Sequence, residues 1–211
     1  MSTKSFVPAF HLHAFTKLYD PSIQLIFGKT FQRIAKTIPL CAGMSVLDVG
    51  CGSGNLMLRL FENHPTISLT GIDIDPRILA IAKKKIASRP INLIEASATH
   101  LPFEANSFDN VISSLAFHHL LQNQQKEAVQ EIYRILKPTG TFWLYDFTTP
   151  STPFGHVLSS LFRHVEKEID PLLNGIMHRL FQNTGLMHEK IHFTQAGMIS
   201  LISVQKESPV S

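Results

Sequence analysis

Three glycines in five positions, Gly50, Gly52 and Gly54, separate a short apolar run, SVLDV (45 to 49), from a stretch of helical period, NLMLRLFEN (55 to 63). This arrangement constrains the fold more than any other part of the chain. The apolar run reads as a buried strand. The glycines form a turn whose backbone can adopt positive φ without a Cβ penalty, and Leu56, Met57, Leu60 and Phe61 share one stripe of the helix that follows. Strand, tight turn and helix in that order form the opening unit of an open α/β sheet.

The unit recurs along the chain. ISLTGID (67 to 73) is the second strand, and Asp75 before Pro76 supplies an N-cap with proline at the first helical position. The helix then turns Ile78, Leu79, Ala82 and Ile86 inward and leaves Lys83 to Lys85 on a solvated face. INLIE (91 to 95), DNVISSL (109 to 115) and TFWLYDF (141 to 147) read as three more strands. A helix over 124 to 137 places Ala128, Val129, Ile132, Ile135 and Leu136 on one face, and Pro138 and Gly140 are expected to break it. Strands joined by helical crossovers pair in parallel, because each such connection needs a right-handed crossover.

After Phe147 comes a Pro/Ser/Thr loop, then one or two helices to about residue 184 and a stop at Gly185. HEKIHFTQ and GMISLISVQK follow as a hairpin turning near Ala196 and Gly197. The expected fold is α/β: a Rossmann-like, doubly wound, mostly parallel seven-stranded sheet with a C-terminal antiparallel hairpin. A single domain over 1–211 is expected, with 1–44 as an N-terminal cap or lid, 45–147 as the ligand-binding core, and 148–211 as acceptor-side helices and closing hairpin. A length of 211 residues suits one such core.

Composition narrows the functional classes. Hydrophobic residues at 44% against 17% charged exclude a disordered polar chain, and no run reaches the ~18 apolar residues of a spanning helix. A net charge of +3 is too small to favour a nucleic-acid partner. Cys41 and Cys51 are too few for a disulfide framework, and no metal-ligand pattern is present, so no metal is expected. With no signal-peptide pattern at the N-terminus, a cytoplasmic location is the expectation.

In an open α/β sheet the ligand sits beyond the carboxyl ends of the strands, and the first βα turn usually makes the contact. The dinucleotide spacing G-x-G-x-x-G fails from Gly50, where Asn55 stands, and from Gly52, where Met57 stands. The GKT at Gly28 to Thr30 lacks the earlier glycine of a phosphate loop, since Ile23 occupies that place. What remains is an acid ending the first strand, Asp48, the G-x-G-x-G turn, and a second acid, Asp73, ending the second strand. Such a carboxylate can accept two hydrogen bonds from ribose hydroxyls. The set suits an adenosine without a pyrophosphate, as in S-adenosylmethionine.

VLDVGCGSGN, GIDIDPRIL, LPFEANSFDNVISS and ILKPTG, in this order over roughly residues 40 to 147, resemble the successive motifs of class I S-adenosylmethionine-dependent methyltransferases. FHHL after the fourth strand, the FxxLYDPSIQLIFG entry (Tyr19, Asp20, Pro21) and the closing hairpin are similar, more narrowly, to small bacterial methyltransferases of ubiquinone and menaquinone biosynthesis. The resemblance implies S-adenosyl-L-methionine as cofactor, with Asp48, Gly50, Cys51 and Gly52 on its methionine side, Asp73 on the ribose and Ile74 against the adenine. Ser97 stands where the family often carries an acid for the adenine amino group; Ser97 and the backbone of Ala98 are the substitutes, and Ser114 completes the lining. Tyr19 would fold over the cofactor as a lid.

Methyl transfer is an in-line displacement that mainly requires alignment and exclusion of water, and a base is needed only when the acceptor must lose a proton. Candidates for that base come from the carboxyl ends of the fourth and fifth strands: His118 and His119 lie just past the fourth, and Tyr145 and Asp146 end the fifth. The ring vectors of the two histidines, as consecutive residues, are expected to diverge. Phe154, Leu158, Leu161, Phe162, Leu172, Leu173 and Met177 suggest a small, apolar or aromatic acceptor. A polar-Pro-Pro-aromatic turn and a Pro-Cys nucleophile are both absent, which argues against methylation of DNA bases. The competing class is a non-catalytic S-adenosylmethionine-binding or partner-binding protein on the same fold.

Overall fold

The computed structural model describes residues 16–165 and 169–207, with side chains excluded for 16–26 and for 162, 164 and 165. Its axis is β1 (Ser45–Val49), which pairs in parallel with β2 (Ser68–Asp73) on one side and β4 (Phe108–Ser114) on the other. β3 (Ile91–Glu95) lies beyond β2 and β5 (Leu136–Phe147) beyond β4, both parallel. The full order is β3-β2-β1-β4-β5-β7-β6, with β7 (Ile199–Lys206) antiparallel to both β5 and β6 (Leu186–Gln195). The winding direction reverses between β1 and β4, so the carboxyl ends of these two strands flank the crevice where ligands bind in such sheets.

Both faces of the sheet are covered, which is why β1 tolerates a continuous apolar run. α1 (Thr16–Thr37), α2 (Asn55–Asn63) and α3 (Pro76–Ile86) pack on one face through Ile34, Ile38, Met57, Leu60 and Leu79. On the other face lie α4 (Gln122–Ile135), α6 (Asp170–Leu173) and α7 (Ile176–Thr184), with Val129, Ile132, Leu172 and Phe181 in the core. Successive residues of β1 alternate between the faces: Val46 joins the first core and Leu47 and Val49 the second. Asp48 falls on the face of Val46. α5 (Pro153–Val165) follows β5, and its first turn lies close to the β6–β7 turn, where a Cβ on Gly155 would come within 2.5 Å of the Gly197 carbonyl.

The sheet and hairpin agree with the expected fold, and three details differ. β5 begins at Leu136, not 141, because Leu136 is fully buried and already pairs with Phe108. Pro138 and Gly140 therefore shape a bulge inside the strand, between the pairs Phe108↔Leu136 and Asn110↔Thr141, with Thr139 at φ 65°. Second, α1 starts at Thr16 and runs through Asp20 and Pro21. Tyr19 lies within it, and its side chain is outside the described residues. Third, Leu172, Leu173 and Met177 are buried in the second core, and Phe154 and Leu161 are exposed, so these five do not line one pocket. Leu158 packs partly against the same core, and the Phe162 side chain is outside the described residues. No helix among the described residues is long and apolar enough to cross a membrane.

Candidate active site

The glycine turn is folded back over the end of β2. Gly50 and Cys51 both donate their N–H to the Ile72 carbonyl at 2.9 Å, a geometry that puts Gly50 at φ 74°. A Cβ on Gly50 would lie 2.4 Å from the Ala116 Cβ, so this turn and the segment after β4 touch directly. Gly52, at φ 54°, faces open space, since a Cβ there would meet nothing within 4 Å. Its N–H donates to Asp73 Oδ2 at 2.9 Å. Beyond Gly54, Lys85 of α3 reaches back to Ser53 Oγ at 3.1 Å and Asn55 Oδ1 at 2.8 Å. Of the expected solvated lysine face, Lys85 instead pins the far end of the turn, because one helical turn brings it above the start of α2.

Asp48 is wholly buried, and neither of its carboxylate oxygens has a hydrogen-bond partner among the described residues. Burial, and then the nearby charge of Asp73, push its pKa up to about 7. Burial also raises Asp73, against the opposing effect of N–H groups from Asp75, Gly52 and Ile74. The Cys51 thiol is pushed up by burial and by both carboxylates, which makes it a poor nucleophile. Buried acceptors are nearly always satisfied, so an orphaned carboxylate beside an open glycine turn marks a place for a cationic ligand. The amino group and sulfonium of S-adenosylmethionine meet that requirement. Asp73 accepts backbone N–H groups from Asp75 on Oδ1 and Gly52 on Oδ2, with the Ile74 N–H also acting on the carboxylate, which leaves capacity for a ribose hydroxyl.

At the adenine end, Ile74 is half-buried after β2. The Ala96 N–H donates to the Asp73 carbonyl at 3.1 Å and so ties the segment after β3 to the second acid. Ser97 Oγ is engaged with Thr99, 2.9 Å from its Oγ1, and Ala98 packs against the core. Ser114 ends β4 opposite Tyr145, and Leu115 beyond it takes φ 52°. The chain thus brings Asp48, Gly50, Cys51, Gly52 and Asp73 into one cluster, with Ile74, Ser97 and Ala98 along its β3 side.

The two histidines occupy a 3₁₀ turn, Phe117–His119, beyond Ala116. Their rings do not diverge: the tight turn sets the centroids 3.9 Å apart. His118 is buried, with Nδ1 2.8 Å from Asp146 Oδ1. Asp146, fully buried at the end of β5, also accepts from Phe147 N at 2.8 Å and from Phe117 N at 2.9 Å. Burial alone would raise the Asp146 carboxyl, but the charge and hydrogen bond of His118 and the Phe147 N–H outweigh it and hold it below the usual carboxylate range. His119 moves the other way: burial, then the charge of His118, lower its pKa to about 3. Tyr145 turns to the opposite face, where its hydroxyl donates to Gln195 Oε1 at 2.7 Å.

The partnership of Asp146 with His118 is not in the expected set. Its signal in the sequence is a carboxylate inside the otherwise apolar run TFWLYDF, which can be buried only with a partner. Lys85 has no such signal, since a lysine in a KKK run looks solvated.

A nucleoside-binding crevice at the reversal point of a doubly wound sheet is what the fold and this cluster define. Residues 47–144 match the family described as a methyltransferase domain. The chain is 33% identical over 157 residues to the demethylmenaquinone methyltransferase of Thermus thermophilus, a match that covers 72% of this chain and 70% of that protein. It is 32% identical over 133 residues to the demethylmenaquinone methyltransferase of Deinococcus radiodurans, covering 62% of this chain and 54% of that one. The chain therefore spans between about half and 70% of the length of these relatives. A phosphoethanolamine N-methyltransferase of Haemonchus contortus, solved with phosphomonomethylethanolamine and S-adenosylhomocysteine, shares the fold with a TM-score of 0.74 at 16% identity, over 93% of this chain and 58% of that one. The chain belongs to the class I S-adenosylmethionine-dependent methyltransferases.

Proposed function

We propose that this protein transfers a methyl group from S-adenosylmethionine to a small, apolar aromatic acceptor bearing a hydroxyl, of the quinol type. The observation that carries the reading is the orphaned, buried Asp48 carboxylate against the Gly50–Gly52 turn and Asp73. The names of the Thermus and Deinococcus relatives support the quinol class. When bound, the cofactor would supply a methyl carbon on positive sulfur, to be displaced in line by the acceptor's electron pair as the carbon–sulfur bond breaks.

The chain's own residues hold, align and exclude water. Asp48 would hold the cationic methionine end, the Gly50–Cys51–Gly52 backbone would admit close approach, and Asp73 would hold the ribose. Ile74 would cover the adenine, with Ser97, Ala98 and Ser114 beside it. Alignment of this kind accounts for ~7–11 kcal/mol of barrier lowering. A ring carbon or hydroxyl acceptor loses a proton, and His118 takes it. His119 is unsuited to that task, since an imidazole with a pKa of about 3 cannot hold an abstracted proton near neutrality. The Tyr19 segment and the helices after β5 close the acceptor side.

The test is formation of S-adenosylhomocysteine with a panel of 1,4-naphthoquinols, phenols and amines. Turnover with the quinols is expected. Binding of S-adenosylhomocysteine with no turnover on any acceptor would favour the non-catalytic reading instead.

A further inference from the structure

We propose that Asp146 is the positioning residue of the transfer reaction: it fixes the His118 imidazole with its proton on Nδ1 and holds the Phe117–His119 turn beside the glycine turn. The inference rests on the methyltransferase reading above and adds a residue to it. Asp146 Oδ1 faces His118 Nδ1 at 2.8 Å, and Oδ2 accepts from Phe117 N at 2.9 Å and His118 N at 3.4 Å. The carboxylate thus grips the turn by ring and by backbone together. An ionised carboxylate only accepts, so the ring nitrogen facing it must carry the proton. In the neutral ring Nε2 is then the nitrogen with the lone pair, and it is the atom that acts as base once the imidazolium has lost its proton.

The same grip reaches the cofactor side. The turn begins at Ala116, and Ala116 abuts Gly50, whose hypothetical Cβ would lie 2.4 Å away. Leu115, at φ 52°, bends the chain into this contact, and its N–H donates to the Tyr145 carbonyl at 2.8 Å. β5 therefore sets the position of the segment from two adjacent residues, by the Tyr145 backbone and the Asp146 side chain.

The proton balance is simple. The acceptor's O–H or C–H proton would pass to His118 Nε2, and the acceptor's electron pair would form the new bond to methyl as the methyl–sulfur bond breaks with its pair left on the neutral thioether; the imidazolium so formed is held beside Asp146 until water takes the proton. Among the described residues, the titratable groups that face His118 are Asp146 from β5 and His119 from its own turn. Asp146 is the carboxylate in direct contact with the His118 ring, at 2.8 Å.

The experiment compares wild type with Asp146→Asn, which keeps an acceptor oxygen for the Phe117 N–H and so is expected to fold. The His118 Hε1 resonance, assigned with His118→Gln, is titrated by NMR. The rate of methyl transfer is followed against pH, and S-adenosylhomocysteine affinity is measured by calorimetry. The expected result is a fall of about one pH unit or more in the His118 midpoint. The rising limb of the rate profile should move with it, with at least about a tenfold loss of rate at its plateau and cofactor affinity kept within a few-fold. An unmoved His118 midpoint, or a rate reduced by one factor at every pH, would overturn the proposal and leave Asp146 a structural residue. Failure of wild type to bind S-adenosylhomocysteine would refute the cofactor reading instead, and the NMR titration would still decide the Asp146–His118 coupling.

Discussion

Two aspartates stand near the carboxyl ends of buried parallel strands, and both are fully inaccessible: Asp48 on β1 and Asp146 on β5. Asp146 is surrounded by donors and is held in its charged form. Asp48 has none among the described residues and is raised to about 7. They lie on opposite faces of the sheet, with Leu144 and the second core beside Asp146, and Val46 and the first core on the face of Asp48. The difference separates two uses of a buried charge. One is completed by the fold and organises it; the other is left incomplete by the fold, and the proposed function gives its missing partner to a ligand.

The contrast is most exposed to test at Asp48. Asp48→Asn should weaken S-adenosylmethionine binding by two orders of magnitude or more, since removing one partner of a buried cation–carboxylate pair costs roughly 3–5 kcal/mol; calorimetry checks this. The same substitution should stabilise the ligand-free protein at pH 8, because it removes a buried charge. Asp146→Ala should do the reverse and lower unfolding free energy by about 3 kcal/mol at neutral pH, leaving buried N–H groups without an acceptor. Urea unfolding of the two variants side by side is the test, and equal signs would erase the distinction.

A pH series separates the two aspartates further. The folded-state pKa of Asp48, about 7, lies above the ordinary value of 3.8, so the native protein holds a proton that the unfolded chain has released between these limits. This contribution to stability is fully present below about pH 4 and is lost as pH rises through about 7. Cofactor affinity should move oppositely and strengthen over the same upper range. Saturation with S-adenosylhomocysteine at ~100 times its Kd should add roughly 2.7 kcal/mol, and NAD should add nothing in a thermal melt. Asp73→Ala should weaken cofactor binding by about tenfold without unfolding the chain, the loss of one or two hydrogen bonds to ribose. The smallest effect is expected for Lys85→Ala, about 1 kcal/mol or less in stability, since its hydrogen bonds to Ser53 and Asn55 are partly exposed.

The parallel part of the sheet was legible because its strands are mostly short apolar runs and its crossover helices carry their own stripes, as with Leu56, Met57 and Leu60. The glycine turn and its two acids were legible because the conformations and charges they need admit few other residues. The start of β5 was not, since Pro138 and Gly140 break helices and also shape bulges, and only the pairing of Leu136 with Phe108 separates the two. Nor was the Asp146–His118 pair, which are 28 positions apart and meet only because β4 and β5 are neighbours. The close, tilted rings of His118 and His119 depend on a 3₁₀ turn whose geometry the residues FHH do not dictate.

The abutment of Gly50 on Ala116 bears on any attempt to redirect the enzyme to new acceptors. Libraries aimed at the loop after β4 would disturb the glycine turn as well, because Ala116 already lies against Gly50, so closely that a Cβ on the glycine would meet it at 2.4 Å. Position 116 is best kept small, with variation confined to positions farther from its contact with Gly50.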